Sequence, residues 1–255
     1  MTPAPRHAKA ARAFTLIELL TVIAIIGILA AIIIPTVGKV RETARKSQSV
    51  SNVRQLSMAM ITFANDNKGG RLPSAANTTA SISVPTTWDV ALLPYMGADP
   101  SQLTYSVTRG LTGGLASLIA VFHCPLDSRP FEPNADGAYP RSYSISPVVI
   151  NLGGSYAAGV SRPAGTGVPL SSIRTPSKMV VINRTPVGWE SATNVVGRQD
   201  QHSHAGPNPD TPGNADFWGR FNGRALLGFA DGHAALLTPE EVKPFNQRDS
   251  SYVIP

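Results

Sequence analysis

From Phe14 to Val37 the chain is apolar almost without interruption, and Glu18 is the single charge in that run. About 24 residues at 1.5 Å per residue cover roughly 36 Å, enough to cross the hydrocarbon of a bilayer. Beyond Pro35 the pattern turns mixed. Val53, Leu56, Met60 and Phe63 recur at steps of three, four and three, with Arg41, Glu42, Arg45, Lys46, Asn52 and Arg54 at the intervening polar positions. That spacing predicts an amphipathic helix with one face for a core. It should end at Asn65-Asp66-Asn67-Lys68-Gly69-Gly70, a cluster of turn residues with glycine available for a C-cap. Apolar and amphipathic halves then make one helix, roughly 75 Å from Phe14 to Ala64.

After Arg71 the apolar runs are short and punctuated. "TTWDVALLPYMG" predicts a short helix running into a turn, and "LASLIAVFHCP" a helix or a buried strand. "KMVVINR" and "RALLGFA" read as strands bounded by turn signals. Asp231-Gly232, between "LLGF" and "HAALL", is the strongest hairpin signal, and it predicts a type I′ turn with two residues at positive φ. A small, mostly antiparallel sheet packed on the amphipathic helix would bury both apolar faces, so the expected fold class is α+β. The Gly-, Ser- and Pro-rich stretches 153–170 and 199–219 read as loops.

Composition changes this picture little. The 42% hydrophobic and 15% charged residues are ordinary for a folded protein. The net charge is +6, but Arg6, Lys9 and Arg12 precede Phe14 with no acidic residue among them. Without that leader, 22 − 3 = 19 basic residues face 16 acidic ones, a net of +3, so the charge is a poor argument for a nucleic-acid partner. The single cysteine, Cys124, leaves no internal disulfide and no CxxC pair.

The N-terminus can be read as a membrane helix or as a secretory signal. A signal peptide fits poorly: the apolar run is too long, a carboxylate sits near its start, and no A-x-A-like cleavage site follows it. Orientation is not settled by charge, because Lys39, Arg41, Arg45 and Lys46 lie on the far flank. The order basic leader, Ala13-Phe14-Thr15-Leu16-Ile17-Glu18, apolar helix, with Pro35 twenty-second from Phe14, closely resembles the N-terminus of type IV pilins and type II secretion pseudopilins. Ala13 stands where that family usually has glycine. The resemblance implies cleavage by prepilin peptidase between Ala13 and Phe14, methylation of the new amine, and pairing of that amine with Glu18 of a neighbouring subunit. It implies as partners other pilin or pseudopilin subunits, an inner-membrane assembly platform and the bilayer, with the leader cytoplasmic and the C-terminal part periplasmic. The expected organisation is a leader over 1–13, a transmembrane helix over 14–37, its amphipathic continuation over 38–66, and a periplasmic globular domain over 67–255. A carboxylate in hydrocarbon costs a few kcal/mol, which makes Glu18 a functional residue by default.

The resemblance continues through "LLPYMG", "FHCPLDS", "RSYSISPVVIN", "IRTPSKMVVINR" and "RFNGRALLGFADGHAALL", landmarks of a prepilin-like family defined by a His, nine residues, then Asp-Gly. Asp231, Gly232 and His233 match; Phe221 replaces the leading His. Chemistry beyond assembly is thinly supported. Asp200, His202 and His204 alternate, but in a Gly/Pro-rich loop that spacing fixes no ligand geometry. Calcium is a candidate because major pseudopilins hold it in a C-terminal loop, and Asn208, Asp210, Asn214 and Asp216 would then supply oxygens. Ser155 lacks a nucleophile elbow, since Ala157 stands where glycine is required, and His123 and Cys124 are adjacent rather than facing. No enzymatic constellation emerges. Trp88, Trp189, Trp218 and Tyr156 fit either core anchors or an aromatic platform. The leading reading is a pilin-like structural subunit; the alternative is a membrane-anchored module that binds a ligand or metal and does not polymerise.

Overall fold

A computed structural model describes residues 15–73, 88–98, 104–106, 110–112, 120–127, 132, 142–145, 167–184 and 221–242. The chain divides into two compact units, Met1–Ala44 and Arg45–Pro255. One helix, α1 (Leu16–Asp66), carries 51 residues and contains Pro35. Proline has no N–H to donate to the carbonyl four residues earlier. One residue on, the Thr36 hydroxyl adds a bond to the Ile32 carbonyl at 2.8 Å.

In the first unit, the large apolar side chains of α1 from Leu16 through Val40 are exposed. In the second, the buried face of α1 begins at Ser49 and continues through Asn52, Val53, Leu56, Ser57, Ala59, Met60, Phe63 and Ala64. The predicted apolar stripe is therefore present, with one correction. Asn52, expected on the polar side, is buried because its side-chain amide donates to the His123 carbonyl at 3.3 Å. α1 ends where the turn cluster predicts. The Asn67 side chain donates to the Phe63 carbonyl at 2.7 Å, and Gly69 and Gly70 follow at φ +90° and +58°.

Next comes α2 (Trp88–Leu92), which runs into a 3-10 turn, Leu93–Met96, closed by Gly97 at φ +88°. "LASLIAVFHCP" is neither a helix nor a strand in its described part, which forms a single 3-10 turn, Ala120–Phe122. Phe122 fills the core there, edge-on to Trp88 with ring centres 5.5 Å apart. Strands β1 (Thr104–Ser106) and β2 (Gly110–Thr112) form a small antiparallel pair.

The main sheet is antiparallel throughout, in the order β3 (Tyr143–Ile145), β4 (Val180–Arg184), β5 (Ala225–Phe229), β6 (Ala234–Leu237). Side chains alternate across it as a pleated strand requires. Leu226, Ala234 and Leu236 join the core that contains Val53, Leu56 and Met60 of α1. Ala225, Leu227 and Phe229 join Val242 of α3 (Pro239–Val242) on the other side. In β4 the consecutive residues Val181 and Ile182 both belong to the α1-facing core. A register shift between Val180 and Ile182 accounts for this, since a bulge breaks the two-residue period. An antiparallel sheet with one long helix on its face makes the fold α+β and pilin-like, as expected.

Candidate functional site

Two places in the molecule carry the residues singled out above: the start of α1, and the hairpin that seats against its second half.

At the start of α1, Thr15 and Glu18 satisfy one another. The Thr15 backbone N–H and its hydroxyl both donate to Glu18 Oε2 at 2.8 Å, and the Glu18 N–H donates back to the Thr15 hydroxyl at 3.2 Å. This is a capping box, the S/T-x-x-E arrangement in which two backbone donors at a helix N-terminus are paired reciprocally. Thr15-Leu16-Ile17-Glu18 spells that signal in the sequence. A second box, Thr238-x-x-Glu241, opens α3: Thr238 N–H donates to Glu241 Oε2 at 2.7 Å and Glu241 N–H to Thr238 Oγ1 at 3.4 Å. These bonds hold the Glu241 carboxyl below the usual carboxylate range, with a smaller contribution from the Arg224 charge. Ala13 and Phe14 lie outside the described residues.

The Asp-Gly hairpin is present, with a different turn from the one predicted. Gly232 N–H donates to the Phe229 carbonyl at 3.0 Å, and Phe229 N–H to the His233 carbonyl at 2.9 Å. The loop is thus three residues, Ala230-Asp231-Gly232, and only Gly232 has positive φ, +91°. That is a type I turn followed by a left-handed glycine rather than a type I′ turn. Two successive positive φ values occur instead at Asn222 (+55°) and Gly223 (+76°), a turn that the Asn-Gly dipeptide would have signalled. The Asn222 side chain accepts a bond from Lys46 Nζ of α1 at 2.9 Å.

Each member of the Asp231-Gly232-His233 motif has a structural task. Asp231 Oδ1 accepts from the His233 N–H at 3.1 Å and lies 2.5 Å from its ring Nδ1. Burial works to raise the Asp231 pKa, but hydrogen bonds from the His233 side chain and backbone, together with its charge, hold it below the ordinary range. The His233 ring stacks on Phe229, with ring centres 4.1 Å apart and planes within 3° of parallel. Gly232 is favoured by its left-handed φ; an added Cβ would also crowd the Met58 and Ile61 side chains of α1, of which Met58 is exposed and can move aside. In β5, a Cβ on Gly228 would meet Ser57 Oγ at 2.3 Å, Val53 Cγ1 at 2.8 Å and Ile182 Cβ at 3.3 Å. The sheet therefore approaches α1 through two glycines. Phe221, at the position of the family's leading His, is 2% exposed and belongs to the same core.

The remaining candidates separate cleanly. Trp88 is a fully buried core anchor, not a platform residue. Cys124 is buried and free, with Sγ 3.3 Å from Ser49 Oγ, and His123 is half-buried beside it. Asp200, His202, His204, Asn208, Asp210, Asn214 and Asp216 lie outside the described residues, as do Ser155, Tyr156, Trp189 and Trp218. Among the described residues no group of three His, Cys, Asp or Glu side chains is placed to hold a metal.

α1 is the one helix among the described residues long and apolar enough to cross a membrane. Comparison with known families matches residues 8–34 to the Prokaryotic N-terminal methylation motif. That motif and the apolar helix together mark a type IV pilin-like, single-pass membrane-anchored protein. No curated protein and no solved structure gives a significant match. A second family model covers residues 38–223, most of the chain, and on that match the protein belongs to the family described as "Protein of unknown function (DUF1559)".

Proposed function

We propose that the protein is a structural subunit, not an enzyme, that prepilin peptidase cuts between Ala13 and Phe14 and that then assembles through α1 into a periplasmic pseudopilus or pilus. Residues 1–13 are the leader, 14–37 the membrane-spanning segment, 38–66 its continuation, and 67–255 the periplasmic domain. The observation that carries this reading is the first half of α1, an exposed apolar helix opened by a capped carboxylate and preceded by the methylation motif. Such a surface needs lipid or copies of itself to cover it. In the bilayer, lipid does so; in a filament, neighbouring helices take its place, and Glu18 meets the amine of an adjacent Phe14. Calcium in the loop around Asn208, Asp210, Asn214 and Asp216 belongs to the same proposal.

The test is assembly in cells containing prepilin peptidase. Wild-type protein should start at methylated Phe14 by intact mass and sediment as filaments, and Glu18→Val should be processed yet stay in the membrane. Normal filaments from Glu18→Val would overturn the assembly role. Retention of Met1 would overturn processing.

A second reading rests on a separate observation. An open groove of about 370 Å³ runs beside α1, lined by Arg54, Gln55, Met58, Thr62, Tyr95 and Met96 among others. A membrane-anchored module that binds a ligand there would need neither processing nor Glu18, so filament loss in Glu18→Val separates the two.

A further inference from the structure

The four basic residues that follow the apolar run are not equivalent. Lys46 is half-buried and bonded to Asn222 at 2.9 Å, both within the second unit. Lys39, Arg41 and Arg45 are exposed on α1, and with Glu42 the stretch 39–45 carries 3 − 1 = +2. These three lie where the apolar sequence stops. At 1.5 Å per residue, Lys39 and Arg41 follow Val37 by about 3 and 6 Å and Arg45 by about 12 Å. A headgroup layer is roughly 5–7 Å deep on each side of the hydrocarbon, so the first two fall within it for a helix near the membrane normal. Arg45 stands within about one Debye length of its outer surface, and its long side chain shortens that gap.

We infer that Lys39, Arg41 and Arg45 form a collar that binds the anionic phospholipid headgroups of the leaflet from which the second half of α1 emerges. The inference rests on the membrane-spanning reading of α1. The chemistry is that of phosphodiester groups held by two guanidinium forks and an ammonium, with Arg41 and Arg45 one helical turn apart and therefore neighbours on the helix surface. A zwitterionic headgroup carries the same phosphate together with its own cation, so the collar should discriminate in favour of net-negative lipids. Free phosphate is a weaker fit, because it lacks the anchoring bilayer that concentrates lipid headgroups beside the collar.

The experiment uses the full chain in vesicles of phosphatidylcholine, with or without about a third of phosphatidylglycerol, and reads the preference of spin-labelled lipids for the protein boundary. Wild type should prefer the phosphatidylglycerol probe at low salt. Removing the collar charges in Lys39→Gln/Arg41→Gln/Arg45→Gln should lower that preference by at least about twofold per charge, with fivefold per charge as the limit for a basic residue at an anionic surface. The single variants should each lose part of it. Sodium phosphate should weaken the preference no more than sodium chloride of equal ionic strength; a specific effect of phosphate would reassign the site to a free anion. An unchanged preference in the triple variant would overturn the proposal and assign lipid selectivity to the leader charges. Loss of filaments with unchanged lipid preference would overturn it too, in favour of an acidic partner subunit. Insertion is read separately by flotation and resistance to alkaline extraction. A chain that fails those in either lipid defeats the membrane-spanning reading itself, while one that inserts without preference defeats only the collar.

Discussion

The seat of β5 on α1 makes a quantitative prediction. In Gly228→Ala the new methyl would lie 2.3 Å from Ser57 Oγ and 2.8 Å from Val53 Cγ1, both well inside van der Waals contact. Ser57 and Val53 are fully buried, so neither side chain has open space to retreat into. Overpacking of this kind costs about 1–3 kcal/mol. Against it stands about 0.4–1 kcal/mol from the lower entropy of the unfolded chain when glycine becomes alanine. Taking the middle of each range, about 2 less about 0.7, the balance is a loss of about 1–2 kcal/mol. For a unit of this size that lowers Tm by about 2–8 °C. Thermal unfolding of the full chain in detergent, followed by near-UV circular dichroism, measures it. Ser57→Ala makes the argument sharper. Its hydroxyl is buried with no hydrogen-bond partner among the described residues, so its removal should be neutral or stabilising. It also takes away the closest clash, and the double variant should recover about 0.5–1 kcal/mol relative to the sum of the single changes. Full recovery is not expected, because Val53 remains. A Gly228→Ala variant as stable as wild type would refute the close approach of sheet and helix.

Three further perturbations address the cap, the motif and the replaced histidine. Thr15→Val removes the hydroxyl of the capping box and should cost the start of α1 about 1 kcal/mol, lowering filament yield with processing intact, whereas Thr15→Ser should behave as wild type. Equal yields for Val and Ser would show that the cap has no part in assembly. The Asp231 carboxyl is held below its ordinary value of 3.8, so the folded state binds fewer protons there than the unfolded state. Its contribution is complete above that ordinary value and lost as pH falls through the lower native one; Tm below about pH 4 should therefore fall less steeply in Asp231→Ala than in wild type, and parallel curves would contradict the Asp231–His233 contact. Phe221→Ala should cost about 3–5 kcal/mol as a buried aromatic truncation, and a surface-like loss under 1 kcal/mol in urea unfolding would remove Phe221 from the core.

Much of this was legible before any coordinates. The three–four–three spacing of Val53, Leu56, Met60 and Phe63 fixed the core side of α1, because a helix has only one face that can carry that spacing. "KMVVINR" and "RALLGFA" became β4 and β5 because short β-rich runs between turn residues have few alternatives. What escaped the sequence depended on partners distant in the chain. Asn52 reads as polar yet is buried because the His123 carbonyl accepts its amide, and nothing in the local pattern marks Ser57, which is buried where Gly228 lets the sheet come close. The turn type escaped for another reason. Asp-Gly serves a two-residue I′ loop and a three-residue loop with a left-handed glycine equally well, and the choice here goes with the closing pair Phe229–His233, whose rings stack. The cap at Thr15 is spelled out in the sequence as Thr-x-x-Glu, a pattern that an apolar run with one charge hides, because the same Glu18 also fits a purely electrostatic role.

That cap changes how Glu18 should be understood. An ionised carboxylate entering hydrocarbon is expensive mainly because its lone pairs lose water, and two donors from Thr15 replace part of that hydration within the chain itself. Both bonds fall on Oε2, and no partner for Oε1 occurs among the described residues. The division matters for assembly. A carboxylate accepts several hydrogen bonds, so Oε1 can take the amine of an adjacent subunit without giving up the cap. The proposed cleavage after Ala13 would leave Phe14 immediately before Thr15, keeping the capping N–H as an amide rather than converting it to the new amine. A cut one residue later would turn the Thr15 N–H into that amine and draw Glu18 into a bond within its own chain, with no amine left over for a neighbour. In the proposed assembly, the position of the scissile bond relative to the capping box would thus determine whether Glu18 is satisfied internally or remains able to join two subunits.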